Sequence, residues 1–162
     1  MIQRLVGSEM CIRDSSMRYP PAGIRGVGGA GARATGFSSH ADYLTTADRE
    51  MCLVVQIETP AGVAALDDIL AVEGVDAVFI GPSDLSANYG HIGNPGAPQV
   101  VEAVQSSLDK IAASDKASGI MALDPAAAKS YLDRGVDFVA VSIDARTLAL
   151  SLRAIAADMR NR

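Results

Sequence analysis

From about Glu50 to the C-terminus, short apolar runs of strand-forming residues alternate with stretches of helical periodicity four times over, joined by connections of only a few residues. A chain built this way has few solutions, because consecutive βα units pack as parallel strands covered by helices. The predicted strands are residues 52–57, 77–80, 118–123 and 138–141, and their nearly continuous apolar character suits a parallel sheet. Helix punctuation falls between them. Pro60 opens a helix to about residue 72, and a second helix runs over 98–113. Asp124 and Pro125 read as an N-cap and a first helical position, and Gly135 as the left-handed cap that ends that helix. Asp144 leads into a closing helix to about residue 159. Residues 81–86, Gly-Pro-Ser-Asp-Leu-Ser, read as a loop. The fold class is α/β.

A chain of 162 residues fits one domain. Residues 18–49 break the alternation and read as a long loop over the strand ends, with Pro20 and Pro21 near its start. Residues 1–16 fit neither that loop nor a βα unit and are set apart as a non-native N-terminal segment, leaving 17–162 as the domain. The net charge of −5 offers no basic stripe for a phosphate backbone, so nucleic acid is not an expected partner. No stretch approaches the ~18 consecutive apolar residues of a membrane span, no signal-peptide layout opens the chain, and a cytoplasmic location is the expectation. Cys11 and Cys52 have neither CxxC spacing nor a nearby His; Cys52 reads as core filling. Gly26-Val-Gly28-Gly-Ala-Gly31 matches the letters of a dinucleotide fingerprint, but no strand precedes it, so the match is discounted.

The feature that carries chemistry is a pair of carboxylates, Glu58 directly after the first strand and Asp84 four residues after the second ends at Ile80. The carboxyl ends of parallel strands share one face, where βα loops converge and catalytic groups of such folds collect. Gln56 lies two residues before Glu58 on the same side of its strand, and Ser83 offers a backbone N–H beside Asp84. Hard oxygen ligands without Cys or His favour Mg²⁺ or Mn²⁺, with Co²⁺ a further candidate, over Zn²⁺. A helix cap and a turn former account for the same two acids without any metal, and spacing alone leaves both readings open.

Taken together, Arg18-Tyr-Pro-Pro-Ala-Gly-Ile-Arg-Gly26, Val55-Gln-Ile-Glu-Thr59, Val72-Glu-Gly-Val-Asp76 and Phe79-Ile-Gly-Pro-Ser-Asp-Leu-Ser86 resemble the HpcH/HpaI aldolase family, in particular its 4-hydroxy-2-oxoheptanedioate and 2-dehydro-3-deoxyglucarate aldolase branches. His91-Ile-Gly-Asn94 and Ser118-Gly-Ile120 continue the resemblance, which runs from about Arg18 to the C-terminus. It implies a partial TIM (β/α) barrel of about four βα units, the C-terminal half of a fold that has eight. It further implies a class II aldolase cleaving a 4-hydroxy-2-oxo acid to pyruvate and an aldehyde. On this resemblance Glu58 and Asp84 bind the divalent metal, and Gln56, Ser83 and Asp84 contact the 2-oxo acid. The cation stabilises charge developing on the 2-oxo oxygen, and no lysine Schiff base is needed.

The same resemblance places the family's catalytic His and an enolate-stabilising Arg on early strands, so no catalytic residue is expected here and turnover by the 162-residue chain is expected to be absent. His40 and His91 do not align with that role and read as loop residues. Ser142 stands where relatives often carry Gly. Full-length relatives imply a homo-oligomer, often a hexamer, and a half barrel with open strand edges and a bare apolar face implies self-association or poor solubility. Two other readings compete: a non-catalytic fragment or assembly partner retaining metal and 2-oxo acid binding, and a citrate-lyase-like enzyme acting on CoA thioesters.

Overall fold

The computed structural model describes residues 13–160. Four strands, β1 (Val54–Ile57), β2 (Ala77–Ile80), β3 (Ala117–Met121) and β4 (Phe138–Ala140), form one sheet in the order β1-β2-β3-β4. Every pair is parallel, with Ile57 opposite Ile80, Ile80 opposite Ile120 and Ile120 opposite Val139. That register puts the four apolar side chains of one row on the same face, where helices cover them. The predicted α/β class and the four βα units are therefore present.

The crossovers are helical. After β1 come α1 (Pro60–Ala64) and α2 (Leu66–Leu70), which replace the single helix expected to residue 72; the break falls at Ala65. Thr59 caps the first, its side chain accepting from Gly62 N at 3.0 Å, with Pro60 at the first helical position. After β2 come α3 (Pro82–Asn88) and α4 (Pro98–Ala112), after β3 comes α5 (Pro125–Asp133), and α6 (Asp144–Arg160) closes the chain. Residues 81–86 are thus not a loop. Pro82 has the φ a first helical turn needs, and Asp84 places a carboxylate near the positive end of α3, so turn-forming residues start a short helix instead. Asp124 caps α5 through Ala127 N at 2.8 Å, and Gly135 follows that helix at φ +90°, both as expected.

The core lies between the sheet and its helices. α4 buries Val100, Val104, Leu108 and Ile111 along one stripe, against Leu66 and Ile69 of α2 and Val78, Ile80 and Ile120 of the sheet. The opposite sheet face is open among the described residues. Burial along β1 alternates, and Val54 is 51 % exposed and Phe138 60 %. The apolar character of the strands therefore arises from two apolar faces, of which only one is covered here. On the open face the Phe79 and Phe138 rings approach to 5.9 Å between centroids, and Gly119 lies beneath them: a Cβ there would come 2.6 Å from Phe79 Cδ2.

At the amino ends of the strands two aspartates replace missing sheet partners. Asp76 Oδ2 accepts from Leu53 N at 2.6 Å, and Asp137 Oδ2 accepts from both the backbone N and Oγ of Ser118 at 2.8 Å. Each sits in a Gly-Val-Asp triplet, 74–76 and 135–137, just before its strand. These bonds hold the Asp137 carboxyl below its usual value, with the backbone bond from Ser118 the larger cause.

The segment 18–49 is not all loop. It contains a cis Pro20–Pro21 bond, short 3-10 turns at Gly29–Gly31 and Arg33–Thr35, and a helix at Tyr43–Glu50. The Arg25 guanidinium lies 4.6 Å from the Tyr19 ring centroid and donates to Tyr43 Oη at 3.1 Å, so aromatic contacts order what Gly and Pro suggested was irregular. Residues 1–12 of the segment set apart as non-native lie outside the described residues, and 13–17 are helical, with Asp14 paired to Arg18 at 3.0 Å. Cys52 is exposed, not core filling, because it precedes β1 rather than belonging to it.

Candidate active site

The carboxyl edge of the sheet gathers the predicted residues. Glu58 leaves β1 and Gly81 leaves β2 side by side, since the register of Ile57 with Ile80 carries one residue further and Gly81 N donates to Ile57 O at 3.0 Å. Gly81 is where the backbone approaches both polar side chains of β1. A Cβ there would lie 2.9 Å from Gln56 Nε2, 3.0 Å from Glu58 Cγ and 3.2 Å from Glu58 Oε1. Glycine leaves that space to the Glu58 carboxylate.

Gln56 and Glu58 point to the open face of the sheet, as their spacing of two requires. Gln56 Nε2 donates to Glu58 Oε1 at 2.5 Å, a bond that restrains the carboxylate. Asp84 stands in the first turn of α3, on the same edge of the sheet and exposed to solvent. The two acids are bridged by a residue that the sequence did not single out. Asn88, the last residue of α3, donates from Nδ2 to Glu58 O at 3.0 Å and to Asp84 O at 2.9 Å. The signal available for it was an amide four residues after an acid, at a helix end, which by itself is common.

Ser83 faces another space. With Pro82, Val104, Met121, Asp124 and Tyr131 it lines a mostly apolar cleft of ≈ 480 Å³ between the ends of β2 and β3 and the helices behind them; Gln56 and Glu58 are not in that lining. The Ser83 carbonyl accepts from Ser86 Oγ at 2.7 Å, so its backbone is committed to α3 while its side chain is exposed. Burial within that cleft pushes the Tyr131 phenol above its ordinary value. His91 N donates to Ser86 O at 2.7 Å in the turn after α3, and the His40 ring sits beside Gly36 in the 18–49 segment. Among the described residues, no group of three or more His, Cys, Asp and Glu side chains is arranged to hold a metal ion.

The family model for HpcH/HpaI aldolase/citrate lyase matches residues 8–150. The chain belongs to the HpcH/HpaI aldolase/citrate lyase family. Its curated relatives include a hydroxypyruvate/pyruvate aldolase of Pseudomonas aeruginosa, 50 % identical over 156 residues, which make up 96 % of this chain and 58 % of the relative. A 4-hydroxy-2-oxo-heptane-1,7-dioate aldolase of Escherichia coli is 47 % identical over 97 % of this chain and 59 % of its own length. Among solved structures, an HpcH/HpaI family protein from Burkholderia cenocepacia superposes with a TM-score of 0.87 at 35 % identity, covering 95 % of this chain and 61 % of that one. The chain therefore spans a little under two thirds of these HpcH/HpaI relatives. No helix among the described residues is long and apolar enough to cross a membrane.

Proposed function

We propose that the chain carries the metal and 2-oxo acid half of a class II aldolase that cleaves a 4-hydroxy-2-oxo acid to pyruvate and an aldehyde. The supporting observation is the meeting of Glu58 and the Asp84 segment at one carboxyl edge, with Gly81 leaving room between the strands and Asn88 bridging the two backbones. Two carboxylates suit a hard divalent cation, Mg²⁺ or Mn²⁺, and a set this small leaves coordination positions for water and substrate. The residues fit that group: they are oxygen donors, and Gln56 orients one of them.

A bound divalent cation would supply Lewis-acid stabilisation of negative charge on the 2-oxo oxygen. The protein's own part is binding and orientation. Gln56 spends one amide hydrogen on Glu58 and keeps the other for a 2-oxo acid oxygen. Ser83, in the wall of a cleft that Gln56 and Glu58 do not line, reaches the 2-oxo acid in this proposal through its place beside Asp84 in the first turn of α3, not through that cleft. The relatives' names favour pyruvate or hydroxypyruvate as the 2-oxo component and favour aldol chemistry over a CoA-thioester lyase. Neither histidine stands among the paired site groups, so the 162-residue chain binds without turning over and a base comes from outside these residues. A cytoplasmic, homo-oligomeric enzyme completes the proposal.

Calorimetry with Mn²⁺ and pyruvate tests it. Wild-type chain is expected to bind, with Glu58→Ala and Asp84→Ala abolishing the metal signal; binding that survives both substitutions removes the site. Substantial aldol cleavage by the purified 162-residue chain would overturn the assignment of the base elsewhere.

A further inference from the structure

Asn88 is the point where the two acid-bearing segments are tied. Its side-chain nitrogen carries two hydrogens, and both are used, one on the Glu58 carbonyl at 3.0 Å across 30 residues of sequence and one on the Asp84 carbonyl at 2.9 Å. Each carbonyl belongs to an acid-bearing residue itself, so a shift of either peptide moves the Cα from which that carboxylate hangs. A second tie, Gly81 N to Ile57 O, lies one residue before Glu58 and three before Asp84 and does not reach past them. α3 is also only seven residues long, too short to hold its own last turn without outside help.

We propose that Asn88 is a positioning residue that sets the separation of the Glu58 and Asp84 carboxylates and thereby the affinity of the pair for a divalent cation. This rests on the metal-site reading above. Ligand geometry must be held to a fraction of an ångström to bind well, and an amide that clamps both backbones does so without itself touching the cation. An apolar residue at 88 removes the side-chain donor that the two carbonyls share and frees the turn after β1 to move relative to α3.

The test uses Mn²⁺ alone with the 162-residue chain, read by calorimetry and by the electron paramagnetic resonance spectrum of the bound ion. Asn88→Ala and Asn88→Leu, the second keeping the side chain's size without its donors, are expected to raise the Mn²⁺ Kd about tenfold and to alter the bound-ion spectrum, with the metal-free Tm little changed. Folded variants with unchanged Kd and spectrum overturn the proposal, as does a fall in Tm with no loss of affinity. Glu58→Gln and Asp84→Asn separate this from failure of the site itself. If those two bind Mn²⁺ like wild type the metal reading fails, whereas if they lose binding and the Asn88 variants keep it only the positioning role fails. Should the Asn88 variants not fold, the wild-type side-chain amide decides by NMR: slowed exchange with water and a shift on Mg²⁺ titration are expected, and a freely exchanging, unshifted amide rejects the role.

Discussion

Gly81 and Asn88 do different work on the same carboxylate. The glycine supplies space, because any Cβ at 81 presses on Gln56 Nε2 and Glu58 Cγ; the asparagine supplies a tether. Gly81 has φ −102°, a value open to every residue, so it is required by approach rather than by backbone conformation. Gly81→Ala is accordingly expected to fold with little loss of stability and to bind Mn²⁺ about tenfold more weakly, since the flexible ends of Gln56 and Glu58 give way and the carboxylate is displaced. Calorimetric titration beside a thermal melt measures both; unchanged affinity would mean the Glu58 carboxylate does not depend on that gap.

Among the elements, strand ends have divided roles. The carboxyl ends carry Glu58 and lead into Asp84, while the amino ends carry Asp76 and Asp137, whose side chains accept from the backbone N–H of Leu53, just before β1, and of Ser118 in β3. That division matches parallel barrels, in which the amino face serves stability. Asp137 gives it a pH signature. Its carboxyl is held below the ordinary 3.8 by hydrogen bonds from Ser118 that favour the charged form, so the stabilisation is full above that value and disappears as pH falls through the lowered one. Relative to Asp137→Asn, the wild-type chain is expected to melt higher at neutral pH, with the gap closing in acid. A gap that persists or widens in acid would remove the carboxylate from that role.

At the scale of the molecule, one face of the sheet is covered by helices and the other is open among the described residues. Among the described residues β1 and β4 end the sheet with unpaired edges, Val54 and Phe138 stand exposed on the open face, and α6 buries none of its residues while Leu148, Leu152, Ile155 and Met159 recur along one stripe. Open edges beside apolar faces promote association. Sedimentation of the 162-residue chain is expected to show concentration-dependent self-association; a compact monomer across the concentration range would contradict it.

Much of this was legible in local pattern. Strand and helix periods, Pro60, Asp124 and Pro125, and the glycine after α5 act within a few residues of themselves, so reading them needs no knowledge of the rest of the chain. The pairing of Gln56 with Glu58 was equally readable, since a strand repeats its side every two residues. What the tertiary structure alone decided involves groups far apart in sequence: the gap at Gly81 that Glu58 fills, the clamp from Asn88 to a carbonyl 30 residues away, the Arg25 contacts with Tyr19 and Tyr43, and the separate cleft that takes Ser83. Sequence spacing records which side of an element a residue occupies, but the neighbour it meets is set by the register of the sheet and the packing of helices upon it.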